Sequence, residues 1–592
     1  MRHYSKLLLC VFFLPTLVAL SGYSQQAPLT ASAKPGLTLD EYFEFVDYGK
    51  VVISPDGASV VIGTERPDWN QQRFREDLWM WRDGMSAPQL LTNSGHDSGA
   101  KWSPDGKWIA FISDRTSPEG AADEAENVPK EPAVAAPPKG KDGDADEKQE
   151  SSAQIYVISA SGGEAFPVTR GIEEVHAFAW SPDSASIYFA TRTPWSKAKR
   201  DAYKKEWKDV IRFRESERGD VIARIAIADA MARVAAIPRA TQQGEPKKPT
   251  ETAETPGSVL ICSIPHRVGD LAVSPDGKSL AFNTDSVSQR VEGITSYEIY
   301  LVASTGGQPK QITHNEAIES RLRWMPDGKS ILFEVGMGSI EHKYEDVQKR
   351  LYSVDVETGA VHRWAGEFTG AVEDWGIGQS GVVVGGRMGT EVPLYTAANS
   401  SAKLQALSGW KGTYQRISAA KKSPRIAFVY SALDRPTEVY IAESLDKLAD
   451  AKPITAFNHH YAEHTLPQGK PYQWKADDGT TVEGMLVYPP GRFGEKNLPM
   501  FVFIHGGPAD ADGNKFGADW YDWAILAATK GWLVFRPNYR GSSGYGDKFQ
   551  LEIVPKLVSR PGNDILEGVD ALVKDGAADP NRLTIGGYSY GG

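Results

Sequence analysis

Five copies of one turn constrain this chain more than any other feature: Ser54-Pro55-Asp56-Gly57, Ser103-Pro104-Asp105-Gly106, Ser181-Pro182-Asp183-Ser184, Ser274-Pro275-Asp276-Gly277 and Met325-Pro326-Asp327-Gly328. Proline presets φ at the first central position, aspartate bonds back to the backbone, and glycine accepts positive φ. An apolar strand precedes each turn, as at Ala100-Lys101-Trp102, and an alternating strand follows, as at Trp108-Ile109-Ala110-Phe111. In most copies a third strand comes later, such as Gln154-Ile155-Tyr156-Val157 or Glu298-Ile299-Tyr300-Leu301, and then a short one ending in threonine, as at Val168-Thr169 or Ile312-Thr313. Four strands per repeating unit make a propeller blade. Two degenerate copies, at 375–387 with Pro393-Leu394-Tyr395 and at 417–430 with Glu438-Val439-Tyr440-Ile441, raise the count to seven. The seven-bladed β-propeller spans residues 38–457. Setting aside 116–152 and 196–255 as insertions leaves about 46 residues per blade, within the propeller range. A pair of β-sandwiches would not keep the even spacing of the turns, 49 residues from Pro55 to Pro104 and 51 from Pro275 to Pro326.

The two insertions differ in character. Residues 116–152 contain no aromatic side chain and are rich in Pro, Ala, Glu, Asp and Lys. Such a stretch buries too little apolar area to offset its ordering entropy and is expected to be disordered. Residues 195–213 are charged and partly helical in pattern, and 241–257 form a polar tail. The basic run at Lys197, Lys199, Arg200, Lys204 and Lys205 reads as a solvated helix face rather than a binding patch.

Residues 1–26 read as a signal peptide: Arg2, His3 and Lys6 give a basic start, 7–20 is a short, mostly apolar run, and 21–27 is small and polar. A membrane anchor needs about 20 apolar residues, so no stable anchor is expected and the protein is expected to be exported, periplasmic or extracellular. Cys10 lies in the leader, which leaves Cys262 without a disulfide partner, a small residue in an apolar strand. A formal net charge of −11 argues against a nucleic-acid partner. At 592 residues the chain is too long for one core.

From residue 468 onward the pattern changes. The apolar run Pro499-Met500-Phe501-Val502-Phe503-Ile504 leads into His505-Gly506-Gly507-Pro508. A second buried strand, Gly531-Trp532-Leu533-Val534-Phe535, leads toward Asn538-Tyr539-Arg540-Gly541-Ser542-Ser543-Gly544-Tyr545-Gly546. Ile565, Val569, Leu572 and Val573 share a helical face, with Asn563 or Asp564 as N-cap and Gly576 as stop. Arg582-Leu583-Thr584-Ile585-Gly586 then runs into Gly587-Tyr588-Ser589-Tyr590-Gly591. Helix, strand and Gly-x-Ser-x-Gly is the order of an α/β-hydrolase nucleophile elbow, in which a sharp turn projects the serine Oγ into a site. The catalytic candidates are Ser589 as nucleophile, with the backbone amides of Tyr590 and Gly507 as the oxyanion hole.

His505–Pro508, Asn538–Gly546 and Gly587–Gly592 resemble the catalytic domain of the prolyl oligopeptidase family of serine peptidases, above all its acylaminoacyl-peptidase and dipeptidyl-peptidase branches. The resemblance implies a Ser-Asp-His triad in that chain order and hydrolysis of short peptides through an acyl-enzyme. It also implies a propeller that caps the site and excludes folded proteins. No cofactor or metal is implied. In the dipeptidyl branch a pair of propeller glutamates holds the substrate's amino group, which makes Glu173 and Glu174 substrate-binding candidates. Family members continue past the elbow, and the acid and the histidine follow the serine. His459, His460, His464 and His505 all precede Ser589, and none is recruited as base. The expectation is therefore an incomplete α/β-hydrolase domain at 468–592, inactive as a fragment because its Asp and His lie beyond Gly592. Two other readings stay open: an exported propeller that acts as a binding scaffold, and an esterase on the same fold, since residue chemistry alone does not separate peptide from ester.

Overall fold

A computed structural model describes residues 34–115, 152–208, 210, 217–235, 255–288, 296–314, 316–339 and 346–592. The leader, all but the last residue of the 116–152 insertion and most of 241–257 lie outside the described residues.

Seven four-stranded antiparallel sheets follow one another along the chain. Their first strands are Asp47–Ile53, Asp97–Trp102, Val175–Trp180, Arg267–Val273, Glu316–Trp324, Ala371–Gly378 and Thr413–Ala419. These strands stand next to one another around the propeller axis. Trp102, Trp180 and Trp324 each donate the indole N–H to a carbonyl of the preceding blade's first strand, at Val52, Lys101 and Ala272. The ring closes between blades 7 and 1, where Tyr48, Val51 and Ile53 of blade 1 are buried against Ala427, Val429 and Ile441 of blade 7. There the Ile53 amide donates to Ser418 Oγ, the Tyr48 hydroxyl to Glu438 and Arg416 to the Tyr48 carbonyl. In every blade the first strand slips register against the second, twice in blade 5 and once in the others, for example around Gly49-Lys50, Gly269-Asp270 and Arg416-Ile417. Such a bulge re-aims the side chain it carries.

The stretch 196–255 is less of an insertion than its composition suggests. Asp220–Ala226 lies inside it as the third strand of blade 3, paired residue for residue with Ser186–Arg192. Its Ile222, Ala223 and Ile225 are buried. The charged residues on either side hide this short alternation when the stretch is read as one block. The helix that precedes it, Lys197–Trp207, starts at Ser196, whose Oγ accepts the Lys199 amide, and it buries no side chain.

The repeated turns owe their form to the Ser-x-Asp pair. Ser54 Oγ donates to Asp56 Oδ1 at 2.5 Å, the Ala58 amide donates to the same oxygen, and the Ser59 amide donates back to Ser54 Oγ. The same set recurs around Ser103, Ser181 and Ser274. In blade 3, Ser184 takes the glycine's place at φ 62°. The serine hydroxyls, with help from backbone amides, hold the carboxyls of Asp56, Asp183 and Asp276 below the usual carboxylate range. Burial raises Asp105, but its bonds from Ser103 and Lys107 outweigh that and its pKa is lowered too. A folded-state pKa below the unfolded value of about 3.9 adds stability that is complete above that value and is lost as pH falls through the folded one. The thermal midpoint of the propeller should therefore drop between about pH 5 and pH 3, and replacing the four aspartates by asparagine should flatten that dependence. An unchanged slope in the substituted protein would refute the assignment.

After blade 7 the chain builds a five-stranded sheet in the order Gln468–Lys475, Thr481–Tyr488, Leu533–Asn538, Leu498–Ile504, Ala578–Gly587. The last three strands run parallel and the first two antiparallel. One face buries Trp474, Phe535, Ile565 and Leu572, and the other buries Met485, Val534, Phe516 and Ile525. Leu37 and Tyr42, ahead of the propeller, join the second face. Helix Ser559–Lys574 begins earlier than a cap at Asn563 or Asp564 would allow and ends before Gly576, at φ 73°. Asp564 caps nothing. It is buried in mid-helix as the ion partner of Arg540.

Blades 5 to 7 seat the propeller on this sheet's loops. Asp547 accepts the Val347 and Gln348 amides and pairs with Arg350 at 2.6 Å. Gln348 accepts the Gly544 amide. Arg387 reaches the Ala511 carbonyl, and Thr413 the Asn514 carbonyl.

Candidate active site

Parallel pairing brings the two chemical loops together. Ile504 stands opposite Gly587 at the end of the ladder, so His505–Gly507 and Tyr588–Gly591 leave neighbouring strand ends side by side. Clefts beyond the carboxyl ends of parallel strands are where such sheets bind ligands. Ser589 adopts φ 56°, the left-handed region that a side chain with Cβ enters only under constraint.

The glycines around it are sterically required. A Cβ on Gly587 would collide with the Gly591 carbonyl, and one on Gly591 with the Ile504 carbonyl. A Cβ on Gly506 would sit 3.0 Å from the Tyr588 carbonyl oxygen and 3.2 Å from Ser589 Cβ. The Gly506 backbone thus lies directly against the serine. Gly507 follows at φ 120°, where an added Cβ would meet the Ala509 amide nitrogen at 2.7 Å. Chemically, an exposed serine hydroxyl beside glycine backbone is the arrangement that attacks a carbonyl and holds the resulting oxyanion.

His505 faces away from this chemistry. Its Nε2 bonds Ser542 Oγ at 2.9 Å and its Nδ1 bonds the Gly506 carbonyl oxygen at 2.7 Å. The ring stacks on Tyr539, whose hydroxyl donates to the His505 carbonyl at 2.7 Å. Among the described residues no histidine hydrogen-bonds to Ser589. Tyr590 also stacks on Tyr539, at 6.1 Å, and its hydroxyl donates to the Leu557 carbonyl.

A buried polar frame that motif reading missed holds the 505–512 loop. Asn538 exchanges two 2.8 Å bonds with the Asp512 backbone and donates to Tyr545. Arg536 pairs with Asp512 at 2.5 Å and Asp522 at 2.9 Å. Burial lowers the Arg536 pKa, but the two carboxylates outweigh it and the guanidinium stays charged. The signal was available, because an arginine inside a continuous apolar strand must have a buried partner. Beside the nucleophile, Tyr588 packs against Tyr521 at 4.6 Å and Trp520 at 6.3 Å, an exposed aromatic wall.

Glu173 and Glu174 sit where blade 3 begins, and the structure does not join them into one carboxylate site. Glu173 pairs with Arg218 at 2.5 Å and Glu174 with Arg267 at 3.1 Å. Each charge is answered by a separate guanidinium.

Comparison with known proteins bears on this site. The model of the prolyl oligopeptidase family, Peptidase_S9, matches residues 520–592. The chain is 25% identical over 589 residues to the peptidase YuxL of Bacillus subtilis, across 94% of this chain and 79% of that one. It is 23% identical over 571 residues to dipeptidyl-peptidase 5 of Porphyromonas gingivalis, across 94% and 75%. Among solved structures, an acylaminoacyl peptidase of Pyrococcus horikoshii superposes with a TM-score of 0.65 at 17% identity, across 94% of this chain and 76% of that one. A similar acylaminoacyl peptidase in complex with Z-Gly-Gly-Phe-chloromethyl ketone also gives 0.65.

Proposed function

Because this chain belongs to the prolyl oligopeptidase family of peptide-hydrolysing serine peptidases, we propose that Ser589 is its nucleophile and that hydrolysis runs through an acyl-enzyme. One observation carries the proposal: a serine at φ 56° whose Cβ lies against the Gly506 backbone. In this reading Oγ attacks the scissile carbonyl, and the amides of Tyr590 and Gly507 hold the oxyanion. Loss of one such donor lowers turnover on the order of 10²–10³-fold. The base is not His505, both of whose nitrogens are engaged elsewhere. We place the acid and the histidine after Gly592 and propose that residues 1–592 alone do not turn over substrate. The basic and apolar start of the chain supports export to the periplasm or beyond.

The substrates we propose are short peptides, because blades 5 to 7 sit over the loops that carry the site. The full-length protein should cleave short chromogenic peptides, drawn from a panel with free and acylated N-termini, and spare a folded protein. Turnover of simple esters with no cleavage of any peptide would overturn the reading in favour of an esterase.

A further inference from the structure

The propeller's central tunnel carries a set of charges that the hydrolytic site does not use. They project from the inner strands, several from the bulges themselves: Lys50 in blade 1, Asp270 in blade 4, Arg321 in blade 5 and Arg416 in blade 7. Arg321 and Arg416 hold φ of 52° and 53°, so the backbone is bent into the left-handed region where these side chains leave it. Lys101 of blade 2 and Arg323 of blade 5 stand beside them, and Lys421 follows the inner strand of blade 7.

The pairing is lopsided. Asp270 is shared by Arg323 at 2.5 Å and Lys101 at 3.9 Å. Asp374 and Glu334 together answer Arg321, at 2.5 and 3.4 Å. Arg416 donates to the Tyr48 carbonyl. Among the described residues Lys50 and Lys421 have neither an ion pair nor a hydrogen bond, although both side chains are solvent-exposed. Lys349 also pairs with Glu334, at 3.7 Å, so seven cations face these three carboxylates, and the ammonium groups of Lys50 and Lys421 are left over. Lys50 also shows the strain of this crowding: desolvation by the surrounding blades, with the fields of Lys101 and Arg323, lowers its pKa to about 7. Desolvation and Arg323 likewise lower Lys421. Lys50 leaves a bulge of the inner strand of blade 1 and Lys421 follows the inner strand of blade 7, so both ammonium groups are exposed to solvent yet crowded by the neighbouring blades. Like charges held in the tunnel are stabilised only by a counter-charge that enters it.

We propose that the tunnel is a binding site for a small multivalent oxyanion of the phosphate class, held by Lys50 and Lys421 with Lys101, Arg323 and Arg416 around it. Charge-assisted bonds from several donors suit the oxygens of such an anion. The site lies along the propeller axis and does not depend on the reading of Ser589.

The test uses the full chain in chloride buffer, titrated with inorganic phosphate at constant ionic strength and followed by calorimetry and thermal denaturation. Saturable binding is expected, with a midpoint that climbs with the logarithm of phosphate concentration. Lys50→Met with Lys421→Met should weaken binding about tenfold or more, since both unpaired donors are gone. The same pair should raise the phosphate-free midpoint, because uncompensated like charges are removed; this shows that the variant is folded. Lys278→Met, at an outer turn where the lysine pairs with Asp276, should bind as the parent does. Absence of saturable binding in the parent, or undiminished binding in the Lys50/Lys421 variant, would overturn the proposal.

Discussion

Ser589→Ala in the full-length protein is expected to lower kcat on short peptides by a factor on the order of 10⁶, the loss that follows removal of a serine nucleophile acting in a concerted unit. The expectation rests on position. The elbow presents the side chain at φ 56°, and Gly506, Gly587 and Gly591 are packed so closely around it that none of them could carry a Cβ without a clash or a tight contact. A fluorophosphonate probe should label the parent at Ser589 and leave the alanine variant unlabelled. Alanine preserves the elbow's steric demands, so the thermal midpoint should move little. Residues 1–592 by themselves should show no turnover. His505 could act as base only by breaking its bonds to Ser542 and the Gly506 carbonyl and by leaving the stack on Tyr539. Labelling that persists in the alanine variant would remove Ser589 from the mechanism and favour the scaffold reading. Turnover by residues 1–592, lost on Ser589→Ala, would show that a base stands within them.

The propeller could be read from the sequence because its turns are local devices. The turn at Ser54-Pro55-Asp56-Gly57 makes its hydrogen bonds within the six residues Ser54 to Ser59, and repetition turns a weak signal into a count. The third strand of blade 3 escaped that reading because Asp220–Ala226 has no turn motif of its own and follows a charged helix. The elbow and the His505–Pro508 loop were legible as motifs, since Gly587 and Gly507 answer steric demands made within a few residues, by the Gly591 carbonyl and the Ala509 amide. Their adjacency was not legible. It comes from the parallel pairing of Leu498–Ile504 with Ala578–Gly587, some eighty residues later in the chain. Tyr539, Asp512 and Arg387 were invisible for the same reason: their roles are partnerships across loops and across domains. Glu173 and Glu174 show the converse. Two adjacent carboxylates suggest one shared cation, but in the fold two arginines, Arg218 just ahead of strand Asp220–Ala226 and Arg267 in strand Arg267–Val273, reach them separately.

Arg540 makes the same point with energetic weight, and Asp564→Ala is expected to destabilise the hydrolase domain by about 3–5 kcal/mol, the range for stripping one partner from a buried ion pair. Both side chains are fully buried, at 1% and 0% exposure. Asp564 receives the Arg540 amide at 2.9 Å and two faces of the guanidinium, with Nη2 at 2.5 Å. The guanidinium also binds Asp478 at 2.5 Å, and the Asp564 carbonyl accepts the Trp474 indole. One residue therefore ties helix Ser559–Lys574 to the loop after Leu533–Asn538 and to the first strand of the sheet. Alanine leaves a buried guanidinium facing a void, with only the half-exposed Asp478 and the more distant Glu552, at 3.4 Å, to answer it. Pairing Arg540→Met with Asp564→Leu removes both charges and should recover part of the loss, because well-packed apolar groups often replace a buried pair at little cost. In urea, the hydrolase transition of Asp564→Ala should move to lower denaturant. The propeller's transition should stay in place, since blades depend mainly on their neighbours. A shift below about 1 kcal/mol, the range of an exposed pair, would mean that the Arg540 network holds neither the helix nor the loop that carries the site.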